Sequence, residues 1–142
     1  MRRKLEVAAD MSHFDRIRDF IEEELTREDC PADEMILFLI AVEEIYSNIA
    51  FYAYPEGEGN AEIDWEFDPE SRTAVIHFSD KGKPYNPLKK RDPDVTLSAA
   101  DRPIGGLGIY MVKNSMDHVA YEYADGKNIL TLEKKFGGVK NV

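Results

Sequence analysis

Apolar residues recur along this chain with two different periods, and the switches between them set out its elements. Over 61–67 (AEIDWEF), Ala61, Ile63, Trp65 and Phe67 alternate with Glu62, Asp64 and Glu66. A period of two puts the apolar set on one side of a half-buried strand and the acids on a wet side. Residues 73–79 (TAVIHFS) form the next strand, and the short turn Asp68-Pro69-Glu70-Ser71 makes the two an antiparallel hairpin. VAYEY (119–123) and NILTLEKKF (128–136) read as two more strands joined at Asp125-Gly126, a strong hairpin signal. A weaker alternation over 3–9 predicts a first strand.

Elsewhere the period is helical. Phe14, Ile17, Ile21 and Leu25 share one face of a helix over 12–27, with Ser12 as its N-cap and Asp15 as the capping-box partner. A second helix starts near Pro31, where Asp33 and Glu34 suit the positive end of the dipole. Met35, Leu39, Val42 and Ile49 give it a broad buried face, and Pro55-Glu56-Gly57 ends it just beyond Ala53. Its second half, nearly apolar all round, predicts deep packing there. A short third helix covers 106–116, with Ile109, Met111, Val112 and Met116 available for packing. The order β α α β β loop α β β predicts an α+β two-layer sandwich: a mixed, mostly antiparallel sheet with about three helices on one face. No strand–GxGxxG–helix unit opens the chain and no GxxxxGK[ST] occurs, so neither a Rossmann fold nor a P-loop is present.

The chemistry concentrates between Asp80 and Gly108. Asp80-Lys-Gly82-Lys-Pro84 closes a strand, and Gly105-Gly106-Leu107-Gly108 opens a helix. Glycines let backbone N–H groups approach a ligand, and a helix start adds unpaired N–H groups and the positive end of a dipole. Together they suit an anion, above all phosphate. The polar stretch 84–104, with Pro84, Pro87, Pro93 and a Lys89-Lys90-Arg91-Asp92 run, is expected to be a lid over a nucleotide. On the second helix, Glu44 and Asn48 are four apart and share a face. Near phosphates the amide oxygen is a suitable hard ligand for Mg²⁺, and the carboxylate is a suitable proton acceptor. Glu43 and Ser47 form an equivalent pair on an adjacent face, and spacing does not choose between them. Asp80 reads either as a turn residue before glycine or as a buried acceptor for a ligand amine such as that of adenine. His77, within a strand and with no second His or Cys at ligand spacing, reads as structural rather than as part of a zinc centre.

Composition narrows the classes. The chain has 142 residues, 43% of them hydrophobic, enough for one domain (1–142) with a real core. A net charge of −10 argues against non-specific binding to nucleic acid or to an anionic membrane. Cys30 is the single cysteine, which rules out an internal disulfide and fits a cytoplasmic setting. The basic start Met1-Arg2-Arg3-Lys4 is not followed by an apolar segment of the signal-peptide kind, and no apolar run approaches the roughly 20 residues of a membrane span.

Four segments in this order, Glu44-Ile-Tyr-Ser-Asn48, Asp80-Lys-Gly82-Lys-Pro84, Gly105-Gly-Leu-Gly108 and a late Thr131, carry a resemblance. The chain resembles the GHKL ATPase superfamily (the gyrase, Hsp90, histidine-kinase and MutL group), whose domain has the Bergerat fold. It most resembles the stand-alone anti-sigma-factor serine/threonine kinases, notably in AVEEIYSNIAFYAYP and GGLGIYMVKNSMD. The resemblance implies that Asn48 holds Mg²⁺ at the phosphates of ATP or ADP and that Glu44 is the general base. It implies that Asp80 bonds the adenine amine, that Gly82 lets the chain turn beside the base, and that Thr131 lies near both. It gives Gly106 and Gly108, with Leu107 between them, to the phosphates, and Gly105 to the hinge of the lid. Lys89, Lys90, Arg91 and Arg102 are lid cations that either reach the phosphates or form a solvated charge run. The implied activity is phosphorylation of a serine on an anti-anti-sigma (STAS-domain) protein, together with sequestration of a sigma factor; homodimers are common in that branch. The alternative is a nucleotide-binding interaction module without phosphotransfer.

Overall fold

Alternation that is strict over 61–67 and 73–80, clear over 127–132 and weaker in the two outer segments underlies five strands, because a pleated strand with one buried face needs an apolar residue at every second position. The computed structural model describes residues 2–55, 57–89 and 107–137. The strands are β1 (Arg2–Ala8), β2 (Asn60–Asp68), β3 (Thr73–Asp80), β4 (His118–Ala124) and β5 (Lys127–Lys135). They form one sheet in the order β1-β2-β3-β5-β4, and all four ladders are antiparallel. The sheet is thus the mostly antiparallel one expected, with no parallel pair among the described strands. Asp125 and Gly126 take φ of 53° and 77°, the left-handed pair that a tight β4–β5 turn requires.

Register lines up one buried face. Leu5 lies opposite Ile63, Ile63 opposite Phe78, and Phe78 opposite Leu130; one step along, Ile76 faces Leu132. Onto this face pack α1 (Phe14–Arg27), α2 (Ala32–Tyr52) and α3 (Leu107–Ser115). Phe38 of α2 meets Trp65 edge-on at 6.0 Å between ring centroids, and Phe136 at 5.5 Å. The other face carries Glu62, Asp64 and Glu66, half-buried to exposed.

Two expectations change. The first helical segment opens with a 3₁₀ turn, Met11–His13, capped by Asp10, whose Oδ1 accepts the Ser12 N–H at 3.0 Å. Asp10 therefore takes the capping role expected of Ser12: a carboxylate two residues ahead reaches that N–H, and the Ser12 hydroxyl donates to it as well. The second correction concerns α2. Its 21 residues, with a mean hydropathy of 1.5 over the most apolar window, are long and apolar enough to cross a membrane by length and composition alone. In this fold Phe38, Ala41, Val42, Ile45, Tyr46 and Ile49 bury one stripe of it against the sheet, while Ile36, Leu37, Ile40, Phe51 and Tyr52 are exposed. Deep packing of the second half thus holds for one stripe and not all round.

Candidate functional site

Asp80 closes β3 on the buried face and is only 6% exposed. A carboxylate there loses water on nearly every side, and burial raises its pKa above the usual aspartate value. Hydrogen bonds from the Asn128 side chain and the Gly82 N–H oppose that shift; both fall on Oδ1, each at 2.9 Å. The chain then turns at Gly82, where the Lys83 N–H donates to the Ala53 carbonyl at 2.8 Å. A Cβ at residue 82 would overlap that same carbonyl, so only glycine lets the loop pass this close to the end of α2.

Asn128, which sequence reasoning missed, is the hub of this end. It lies opposite Asp80 in the β3–β5 ladder and is 7% exposed. Its Nδ2 donates to Asp80 Oδ1 and to the Lys83 carbonyl at 3.0 Å, and lies 3.4 Å from the Gly82 carbonyl. Its Oδ1 accepts the Tyr85 N–H at 3.1 Å and the Tyr121 hydroxyl. A signal for it was available: Asn128, Leu130 and Leu132 share one phase of β5, and a polar residue in the apolar phase needs buried partners.

Thr131 occupies the opposite phase. It pairs with His77, whose Nδ1 lies 2.7 Å from Thr131 Oγ1, on the face of the sheet away from the helices. Asn128, and not Thr131, is the β5 residue beside Asp80, because the two are three positions apart along the strand and so face opposite sides of the sheet.

The other end is built on α2 and α3. Asn48 faces inward, and its Nδ2 is buried with no hydrogen-bond partner among the described residues. Buried amides are nearly always paired, so this one is available to a ligand. Glu44, one turn earlier, lies against Gly108 in the first turn of α3: the space a Cβ at 108 would fill holds the Glu44 carboxylate. That places an acid near the positive end of the α3 dipole. Glu43 is exposed and borders a groove between α1 and α2 with Phe14, Arg18 and Ile40. The rotation of α2 therefore puts Glu44, and not Glu43, beside the glycine. The amide and carboxylate oxygens fit a hard divalent cation such as Mg²⁺.

Asn48 and Asp80 line one cavity, together with Ile45, Phe78, Tyr85 and Asn128 among others. It is narrow, about 40 Å³, far below the roughly 300 Å³ at which ordinary ligand pockets begin. A purine enters only if side chains at its mouth shift; Tyr52 and Tyr85, 6.4 Å apart between ring centroids, are partly exposed there. Gly105, Gly106, Lys90, Arg91, Arg102 and residues 90–104 of the expected lid lie outside the described residues, as does the Leu107 side chain; Lys89 closes a short 3₁₀ turn, Pro87–Lys89.

An antiparallel sheet layered with helices, carrying Asp80 and Asn48 on one cavity, has the layout of a kinase-like ATPase domain. The chain belongs to the histidine kinase-like ATPase domain family, which it matches over residues 7–134. It is 29% identical over 93 residues to the serine/threonine-protein kinase BtrW of Bordetella bronchiseptica, a match covering 66% of this chain and 65% of that protein. Its fold is similar to the crystal structure of the RsbU and RsbW domains of a Mycobacterium tuberculosis protein. That likeness has a TM-score of 0.65 at 12% identity and covers 94% of this chain and 32% of the other. The chain thus spans just under two thirds of the curated relative and about a third of the solved one.

Proposed function

We propose that this chain is an ATP-dependent serine/threonine kinase of the anti-sigma type, which phosphorylates a serine of a small STAS-domain partner and binds a sigma factor. The observation that carries the reading is the Asn48 amide nitrogen, buried with no partner among the described residues, in the same cavity as Asp80, with Glu44 one turn away against Gly108. Asp80 offers a buried acceptor to the adenine amine. Asn48 directs its amide toward the phosphate end. Glu44 is placed to take the proton of an attacking serine hydroxyl. Mg²⁺, held by Asn48 and by the nucleotide's own oxygens, would neutralise charge developing on the phosphates. The similarity to a protein named as a serine/threonine kinase supports this chemistry for the chain.

The test is transfer of label from γ-labelled ATP to a serine of a STAS-domain protein encoded in the same genome. Glu44→Gln is expected to slow transfer by about 10²- to 10⁴-fold, the usual worth of a general base, while ATP affinity stays within a few-fold. Label on no such protein, from a chain that binds ATP, would count against kinase activity. The narrowness of the cavity favours a second reading, an interaction module that holds nucleotide weakly and transfers nothing. Calorimetry with ATP and ADP separates the two: the module reading expects weak binding and no turnover with any partner.

A further inference from the structure

The Asn128 network has a consequence for which base the cavity accepts. An asparagine side chain can donate two hydrogen bonds and accept two. Asn128 makes all four: it donates to Asp80 Oδ1 and the Lys83 carbonyl, and accepts from the Tyr85 N–H and the Tyr121 hydroxyl. Because every bond is made, the amide cannot turn over without setting its oxygen against two acceptors and its NH₂ against two donors. Asp80 Oδ1 is in turn filled, by Asn128 and by the Gly82 N–H. No hydrogen bond is made to Oδ2 among the described residues, and Asp80 lines the cavity. The carboxylate therefore presents a single acceptor, held in orientation by a residue that need not touch the ligand.

We infer that Asn128 is a positioning residue that sets base specificity: by occupying Asp80 Oδ1 it aims Oδ2 at an amino group, favouring 6-aminopurine over 6-oxopurine nucleotides. A 6-amino group donates to Oδ2, whereas a 6-oxo group brings one acceptor against another. Tyr85, tied to Asn128 through its backbone N–H, is held at the cavity by the same residue. The inference rests on the nucleotide-binding reading proposed above.

Asn128→Asp is the sharpest probe. It keeps the shape of the side chain and the acceptor for Tyr85 and Tyr121, removes the amide donors to Asp80 and Lys83, and sets a second carboxyl against Asp80 Oδ1, so it is read beside the neutral Asn128→Ser. Dissociation constants of the full chain would be measured with ATP, inosine triphosphate and purine riboside triphosphate, the last lacking any 6-substituent. The unmodified chain is expected to bind ATP at least about tenfold more tightly than either analogue, the worth of one hydrogen bond to a charged group. In Asn128→Asp that preference is expected to fall to about two- to threefold or less, while affinity for purine riboside triphosphate changes less than about threefold. Thr131→Val, on the same strand but the other face, is expected to keep the full preference. Asn128→Ser, smaller and neutral, gives the same reading if the carboxylate variant fails to fold. A folded Asn128→Asp or Asn128→Ser chain with an unchanged preference for ATP would overturn the inference and leave nucleotide binding intact. An unmodified chain that binds no triphosphate would instead overturn the nucleotide reading, and this inference with it.

Discussion

The two ends of the cavity handle their polar groups in opposite ways. Among the described residues nearly every donor and acceptor at the Asp80 end is matched: Asn128 is saturated, Gly82 and Lys83 are tied down, and one carboxylate oxygen is left over. At the Asn48 end a buried amide nitrogen has no partner among the described residues, and a carboxylate rests against a bare glycine. A saturated network is rigid and presents a fixed shape, which suits recognition of a flat base. An unmatched polar group costs stability in the free protein, and that cost is recovered when a ligand arrives. In the function proposed, one end selects the nucleotide and the other acts on it.

Asn48→Leu should break the comparison most clearly. Removing the amide is expected to weaken Mg²⁺-ATP binding by at least the roughly 10- to 100-fold that disturbing a metal's surroundings costs. It is also expected to leave thermal stability unchanged or raise it by about 1 kcal/mol, because a buried unsatisfied group disappears. Calorimetry and a melting curve on one sample check both. A marked loss of stability with unaltered nucleotide binding would make Asn48 a structural residue.

The two glycines separate the ends next. At Gly82 an added methyl meets the backbone carbonyl of Ala53, which cannot step aside. Gly82→Ala should therefore cost about 1–3 kcal/mol of stability. At Gly108 the atoms nearest the methyl are those at the end of the Glu44 side chain, which can swing away. Gly108→Ala should cost less than about 1 kcal/mol but displace the proposed base, lowering transfer more than nucleotide affinity. Urea melts and transfer rates on the pair decide it, and equal stability losses would show that the two ends are not built differently.

The smallest effect is on pH dependence. Burial raises the folded-state pKa of Asp80, so across a window starting near pH 4 the folded chain holds a proton that the unfolded chain has released. Stability should fall as pH rises through that window. Base affinity should rise over the same range, because the ionised carboxylate is the better acceptor. Asp80→Asn should flatten the stability change and abolish the preference for ATP. Melting temperature and ATP affinity followed from pH 4 to 7 would show whether the two trends oppose each other.

Much of the fold was legible because its signals are local. The alternation in 61–67 and 73–79, the Asp125-Gly126 turn and the helical spacing of Phe14, Ile17, Ile21 and Leu25 each lie within a few neighbouring residues. The cap was misread because the helical segment starts earlier than the periodicity indicates, with the 3₁₀ turn, so that Asp10 accepts the N–H and the hydroxyl of Ser12. Thr131 was misplaced although Leu130 and Leu132 already marked its phase as the outer one. Asn128 carried the same kind of signal, a polar residue in the buried phase, but all its partners except Tyr121 lie more than forty residues away, in β3 and the loop that follows.

The sequence by itself determined which segments are strands and helices, their order, and the facing of each strand, since periods of two and 3.6 follow from backbone geometry alone. Only the tertiary structure decided that Glu44 and not Glu43 meets Gly108, that Asn128 stands across from Asp80, and that the Asn48 amide finds no partner among the described residues. Those outcomes depend on the rotation of α2 against the sheet and on the β3–β5 register. Both are set by packing between parts of the chain that are far apart along it.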